Sequence, residues 1–302
     1  MARECPKISI VTPSLNQAQF IEETIHSVLA QNYPNIEYVI IDGGSIDGSV
    51  EIIRRREEQL AYWVSEPDAG QYDAINKGFN KTTGEIMAWL NSDDKYTPWA
   101  FSVVAEIFST YPEVEWLTTL YPLCWDSKGR AVECSYIGGF NRQSFFREAN
   151  LPGRRWYDRS CIQQESTFWR RSLWERVGGY VDASLNFAGD FELWGRFFQN
   201  TALYGVATPL AGFRKHRAQK TATHLGEYLT EAENIIRRYG GHPYGRLQGI
   251  FRRYLHYGIG GRPLKKLPAG IGNILTHLGI LYPAKVCVWM GNGWRIVTDY
   301  VV

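Results

Sequence analysis

Residues 7–49, KISIVTPSLNQAQFIEETIHSVLAQNYPNIEYVIIDGGSIDGS, decide the fold class. Lys7 to Thr12 is a short β-branched run that stops at Pro13 and a polar turn. Phe20 to Gln31 then spaces Phe20, Ile21, Thr24, Ile25, Val28 and Leu29 at helical intervals. Glu37 to Ile41 is a near-continuous apolar strand, closed by Asp42-Gly43-Gly44-Ser45. Outward from this stretch the alternation repeats. Ser49 to Leu60 reads as a helix, Ala61 to Ser65 as a strand, Asp73 to Lys81 as a helix and Glu85 to Leu90 as a strand. Such spacing predicts an α/β fold, a mostly parallel sheet with helices on both faces.

In sheets of this kind, ligands sit beyond the carboxyl ends of the strands. Thr12-Pro13-Ser14, Asp42-Gly43-Gly44-Ser45, Glu66-Pro67-Asp68 and Asn91-Ser92-Asp93-Asp94 follow four consecutive strands. Carboxylates and hydroxyls therefore recur on one rim, which points to a site there. The middle section, about Glu115 to Gly212, reads as mixed strand and helix with several loops, and a boundary is placed near Leu225.

The bulk properties narrow the class. A length of 302 residues accommodates one large α/β domain or a catalytic domain with an appendage. The 11 Trp and 18 Tyr suit stacking on sugars and nucleobases, but rings also fill cores, so composition alone decides nothing. Five scattered cysteines without CxxC spacing support neither a disulfide framework nor a zinc site. The first apolar run is too short for a signal peptide, and no apolar stretch approaches the roughly 20 residues of a spanning helix. A reduced, cytoplasmic protein is expected. From Ile236 onward ten Lys and Arg face a single acid, Asp299, giving +9, whereas the preceding part carries 23 basic and 30 acidic residues, giving −7.

Several residues can carry chemistry. Asp93 and Asp94, on a turn after a buried strand, offer the oxygen ligands that Mg²⁺ or Mn²⁺ prefer. Equally, Asn91-Ser92-Asp93-Asp94 can be an Asx turn capping a helix around Pro98 to Phe108. Asp42 and Asp68 can accept hydrogen bonds from a base edge or a ribose, or can simply form turns. Asp190, after Gly189 at a helix start, can be a general base or an N-cap. His216 can reach a metal or phosphate, or be solvated among basic residues. Lys77 can offset phosphate charge or be exposed, and Gln163 to Thr167 can bind an acceptor sugar or be plain loop.

Read in order, these pieces resemble the family 2 inverting glycosyltransferases of the GT-A fold. The match runs through residues 10–49, then SEPDAGQYDAINKG, GEIMAWLNSDD, QQESTFWRR and NFAGDFELWGRF, covering roughly residues 7–220. The resemblance implies that Thr12, Ser14, Asp42 and Asp68 hold the uridine or an equivalent nucleoside, with Lys77 and Asn91 also on the donor side. The family's Asp-x-Asp motif falls on Asn91-Ser92-Asp93. Asp93 would then bind a divalent metal (Mn²⁺ or Mg²⁺), with Asp94 and His216 beside it. Asn91 replaces the usual first acid and removes one negative charge. Asp190 falls at the catalytic base, and Gln164, Glu165 and Trp194 on the acceptor side. The implied reaction is a single inverting displacement by a hexosyl- or N-acetylhexosaminyl-transferase. Donor and acceptor would be a UDP-linked sugar and a saccharide or lipid-linked saccharide, in cell-surface polysaccharide or glycan synthesis.

Residues 1–225 would form the catalytic domain and 226–302 a helical, basic extension. Interleaved with aromatics, that extension suits peripheral contact with an anionic membrane or packing as a homo-oligomer interface. No nucleic-acid-binding motif supports a nucleic-acid partner. Two rivals stand beside the transferase: a nucleotidyltransferase, which would usually carry a Gly-rich phosphate loop where TPSLNQAQF stands, and a catalytically silent nucleotide-sugar-binding module.

Overall fold

A computed structural model describes residues 5–152, 161–216, 219, 223–243, 245, 276–277 and 281–301. The chain opens with β1 (Ile8–Ser14), α1 (Ile21–Leu29), β2 (Ile36–Asp42), α2 (Ser49–Arg54), β3 (Tyr62–Ser65), α3 (Gln71–Phe79) and β4 (Ile86–Trp89). A short β5 (Lys95–Tyr96) leads into α4 (Ala100–Thr110). The middle section holds β6 (Trp116–Thr119), β7 (Leu123–Trp125), β8 (Ala131–Cys134), α5 (Arg142–Phe145), β9 (Phe168–Arg170) and α6 (Arg171–Arg176). It continues through α7 (Gly189–Asn200), β10 (Tyr204–Val206) and β11 (Ala211–Arg214). Beyond these lie α8 (Leu225–Arg238), β12 (Tyr282–Trp289) and β13 (Trp294–Val301).

A nine-stranded sheet runs in the order β13-β12-β10-β6-β9-β4-β1-β2-β3. It is mostly parallel, as expected; β9 and β13 are the antiparallel members. A second sheet, β5-β11-β7-β8, flanks it. All seven residues of β1 are buried, and β2 buries its last five, which is why both read as continuous apolar runs rather than alternating ones. Helix α1 buries Ile21, Thr24, Ile25 and Val28, the one face its spacing predicts. Helix α3 lies so close to the sheet that a Cβ on Gly78 would sit 2.3 Å from Val11 Cγ1.

Strand order sets the position of the site. β1 pairs with β2 on one side and with β4 on the other, so the chain reverses direction across the sheet between these neighbours. The carboxyl ends of β1 and β4 flank that switch point, where doubly wound sheets open a crevice.

The region after residue 225 departs in part from a helical extension. It begins with α8, which packs on α7, but its end is a β hairpin. β12 pairs in parallel with β10 and carries the central sheet outward. Tyr282, Ala284 and Val286 are buried while Pro283 and Lys285 between them are exposed, the period of a half-buried strand. Most of the basic stretch between α8 and β12 lies outside the described residues. Among the described residues, no helix is long and apolar enough to cross a membrane.

Candidate active site

A cleft of about 570 Å³ opens at the switch point, within the range of small-molecule sites. It is lined by Ser14, Asp68, Gln71, Asn91 and Asp93, and by Gln164, Glu165, Asp190 and Tyr228.

The turn after β4 is held from several sides. Asn91 Nδ2 donates to Asp94 Oδ2 (3.3 Å) and to Gln164 Oε1 (3.2 Å), while Asn91 Oδ1 accepts from Gln71 Nε2 (2.8 Å). Arg214, fully buried, donates from Nε to Asp93 O (2.6 Å) and from a terminal nitrogen to Glu23 Oε2 (2.6 Å). Asp94 Oδ1 accepts from the Arg214 backbone N–H (2.8 Å). Burial, reinforced by the charges of Asp93 and Glu165, pushes the Asp94 carboxyl well above the usual carboxylate range. Asp94 thus braces the turn from within and is not part of the cleft wall.

Asp93 does face the cleft, and its Oδ2 lies 2.9 Å from His216 Nε2. The His216 ring packs on Phe20 at 4.7 Å between centroids. A carboxylate oxygen and an imidazole nitrogen suit a borderline cation such as Mn²⁺, with phosphate oxygens completing its shell. Among the described residues, no group of three or more His, Cys, Asp or Glu gathers around one point. Asp93 and His216 supply two ligand atoms, which fits a metal completed by ligands from outside the protein and not an all-protein cage.

On the opposite side, Asp190 sits in the first turn of α7 and does not cap it; Ala188 holds the cap position. Its Oδ1 accepts from the Phe191 backbone N–H at 2.7 Å. Burial pushes its carboxyl up to about 6, against hydrogen bonds that lower it. Glu165 is buried with Oε1 lacking a protein hydrogen-bond partner, and burial first, then the charges of Asp93 and Asp190, push it up to about 8. Gln164 Nε2 donates to Trp89 O (2.7 Å), so its Oε1 is turned toward Asn91.

Besides Asp94, four expected site residues lie away from the cleft, and His216 touches it only through Asp93. Thr12 is fully buried within β1, its hydroxyl 3.0 Å from Tyr38 Oη. Asp42 is fully buried, and its oxygens accept from Gly44 N, Ser45 N, Ser45 Oγ and Ser65 Oγ. Both shape the rim without lining it. Lys77 pairs with Asp73 one turn back at 3.0 Å and stays on the exposed face of α3. Trp194 is 1% exposed, stacked at 7° on Trp89 and at 29° on Trp116, because its helical position points at the sheet and not along the cleft. Residues the sequence did not single out do face the cleft: Gln71, Tyr72 and Tyr228. Gln71 and Tyr72 fell within a quoted motif, but nothing in their spacing distinguished them.

A family model described as glycosyl transferase family 2 matches residues 9–154. The chain is 31% identical over 191 residues to an uncharacterized glycosyltransferase of Mycobacterium tuberculosis, covering 62% of this chain and 67% of that one. Among solved structures, it resembles residues 1–349 of Staphylococcus aureus TarS in complex with UDP-GlcNAc. The TM-score is 0.59 at 16% identity, covering 82% of this chain and 72% of that one. The mannosyltransferase PcManGT of Pyrobaculum calidifontis, in complex with GDP-Man and Mn²⁺, gives a TM-score of 0.52 at 19% identity. That match covers 77% of this chain and 68% of the other.

Proposed function

From the premise that this chain belongs to the family 2 glycosyltransferases and has their GT-A fold, we propose that it moves a hexosyl or N-acetylhexosaminyl group, with inversion, from a UDP-linked donor to a saccharide or lipid-linked saccharide. The observation that carries this reading is that Asp93, held by His216 from behind, and Asp190 line one cleft at the β1/β4 switch point. Ser14, Asp68 and Asn91 line the donor half and contact the nucleoside and ribose. UDP is favoured by this acidic rim and by the likeness to a fold that binds UDP-GlcNAc; the likeness to a GDP-Man complex makes guanosine donors the comparison to run.

Asp93 and His216 would hold a divalent ion against the donor diphosphate. When bound, that ion neutralises charge that builds on the leaving group. Asp190 takes the proton of the acceptor hydroxyl while the hydroxyl oxygen forms a bond to the anomeric carbon. The bond from that carbon to the diphosphate oxygen breaks on the opposite face, and the nucleoside diphosphate leaves. One displacement gives one inversion. Glu165, held neutral near pH 7 by burial, adds no negative charge between Asp93 and Asp190. Residues 1–225 carry these groups, and the region from 226 supplies Tyr228 to the same cleft.

The test is turnover of a nucleotide-sugar panel by wild type and Asp190→Asn. Loss of roughly 10²–10⁴-fold in kcat with donor binding retained supports the base. Equal turnover by the variant removes Asp190 from the mechanism.

A further inference from the structure

The loop that presents Asp190 is tied to a residue outside the cleft. Glu231, on α8, accepts three consecutive backbone N–H groups: Asn186 N on Oε1 (3.0 Å), and Phe187 N (3.0 Å) and Ala188 N (2.8 Å) on Oε2. From the other side, Tyr72 Oη donates to Phe187 O (2.7 Å) and accepts from Gly189 N (2.9 Å). A Cβ on Gly189 would come within 2.7 Å of the Tyr72 ring, so glycine there permits the close seating. Five hydrogen bonds from two side chains thus fix residues 186–189, which lead directly into Asp190. All three of the Glu231 bonds are charge-assisted.

We propose that Glu231 is a positioning residue that sets the place of the Asp190 carboxylate through the 186–188 backbone. This rests on Asp190 being the base. It gives the region after residue 225 a part in turnover, because α8 brings the carboxylate to the loop. A carboxylate is required for the geometry: an amide presents one oxygen and one NH₂, and the NH₂ would face a backbone N–H. Glu231 also adds negative charge near Asp190, which helps hold that carboxyl up. Removing the charge therefore moves the Asp190 titration to lower pH.

The experiment compares full-length wild type, Glu231→Gln, Glu231→Asp and Asp190→Asn in two arms. Hydrogen exchange of the peptide spanning 186–190 should quicken at least about tenfold in Glu231→Gln, with the central sheet unchanged. Hydrolysis of UDP-GlcNAc or GDP-mannose with Mn²⁺ should show kcat reduced ~10–100-fold, since small misplacements of catalytic groups cost about that much. The donor KM should change less than about twofold, and the acid limb should lie at lower pH. Glu231→Asp, which keeps the acceptor oxygens, should recover part of the kcat. Unchanged exchange overturns the proposal, and so does faster exchange with wild-type kcat and limb. An Asp190→Asn enzyme with full turnover sinks the base assignment itself. If wild type hydrolyses neither donor, NMR titration of the Asp190 carboxyl replaces the pH limb: movement to lower pH in Glu231→Gln with faster loop exchange supports the proposal, and an unchanged titration overturns it.

Discussion

Asn91 donates to Asp94 Oδ2 and to Gln164 Oε1, and an aspartate in its place could do neither when ionised. The departure from a paired-acid motif is therefore built into the hydrogen bonding of the turn. Asp93 is left as the acid that faces the cleft there, which makes it the sensitive position for metal binding. Asp190 carries a second expectation at this scale. A base must be ionised, and burial holds this carboxyl at about 6, so kcat/KM should rise with pH through about 6 and level off above 7. A pH–rate profile checks it; a limb near 4 would mean that the working group is solvated. Single residues were the hardest to read from the sequence. Asp93 and Asp190 came from ordered motifs and line one cleft, and His216, a single position outside those motifs, contacts Asp93. Thr12 and Asp42 stood in equally good motifs, but whether a side chain at a strand end faces the cleft or its own turn depends on neighbours such as Tyr38 and Ser65.

At the scale of elements, α7 serves both core and cleft. Its first turn presents Asp190, while Phe191, Leu193, Trp194, Phe197 and Phe198 are buried. Trp194 is wedged between Trp89 and Trp116, with Trp169 edge-on at 5.9 Å. Trp194→Ala should therefore lower stability by about 3–5 kcal/mol, as large cavities in cores do. Urea unfolding of the variant measures this, and a loss below ~1 kcal/mol would place the ring outside the core. Strands β1 to β4 were legible because continuous apolar runs between polar turns permit little else. β12 was not. Pro283 and Lys285 interrupt its apolar residues along the sequence, because they are the exposed half of an alternating strand. Its partner β10 lies about eighty residues earlier, and no local pattern announces such a pairing. Glu231 was equally silent, one glutamate of several on an amphipathic helix.

For the whole molecule, the uneven charge calls for a partner, and an anionic membrane surface is the one we propose for the basic stretch. Removing everything after residue 235 would not test it cleanly, because β12 buries Ala284, Val286 and Cys287 beside β10. Reversing Arg252, Arg253, Lys265 and Lys266 to Glu instead changes the charge and keeps every residue of β10, β12 and β13. Each basic group near an anionic leaflet contributes about 1 kcal/mol, so wild type should sediment with anionic vesicles and not neutral ones, and the reversed chain should stay in solution. Unchanged sedimentation would assign the charge to another role. The central claim, a nucleotide-sugar site completed by a metal at Asp93, is tested most directly by thermal unfolding with UDP-, GDP- and dTDP-sugars, with and without Mn²⁺, on wild type and Asp93→Ala. A ligand at a hundredfold excess over its Kd stabilises the native state by ~2.7 kcal/mol. The account predicts that UDP-sugars raise Tm only with Mn²⁺ present, and that Asp93→Ala loses the shift. No response to any nucleotide, or a shift that needs neither Mn²⁺ nor Asp93, would contradict it.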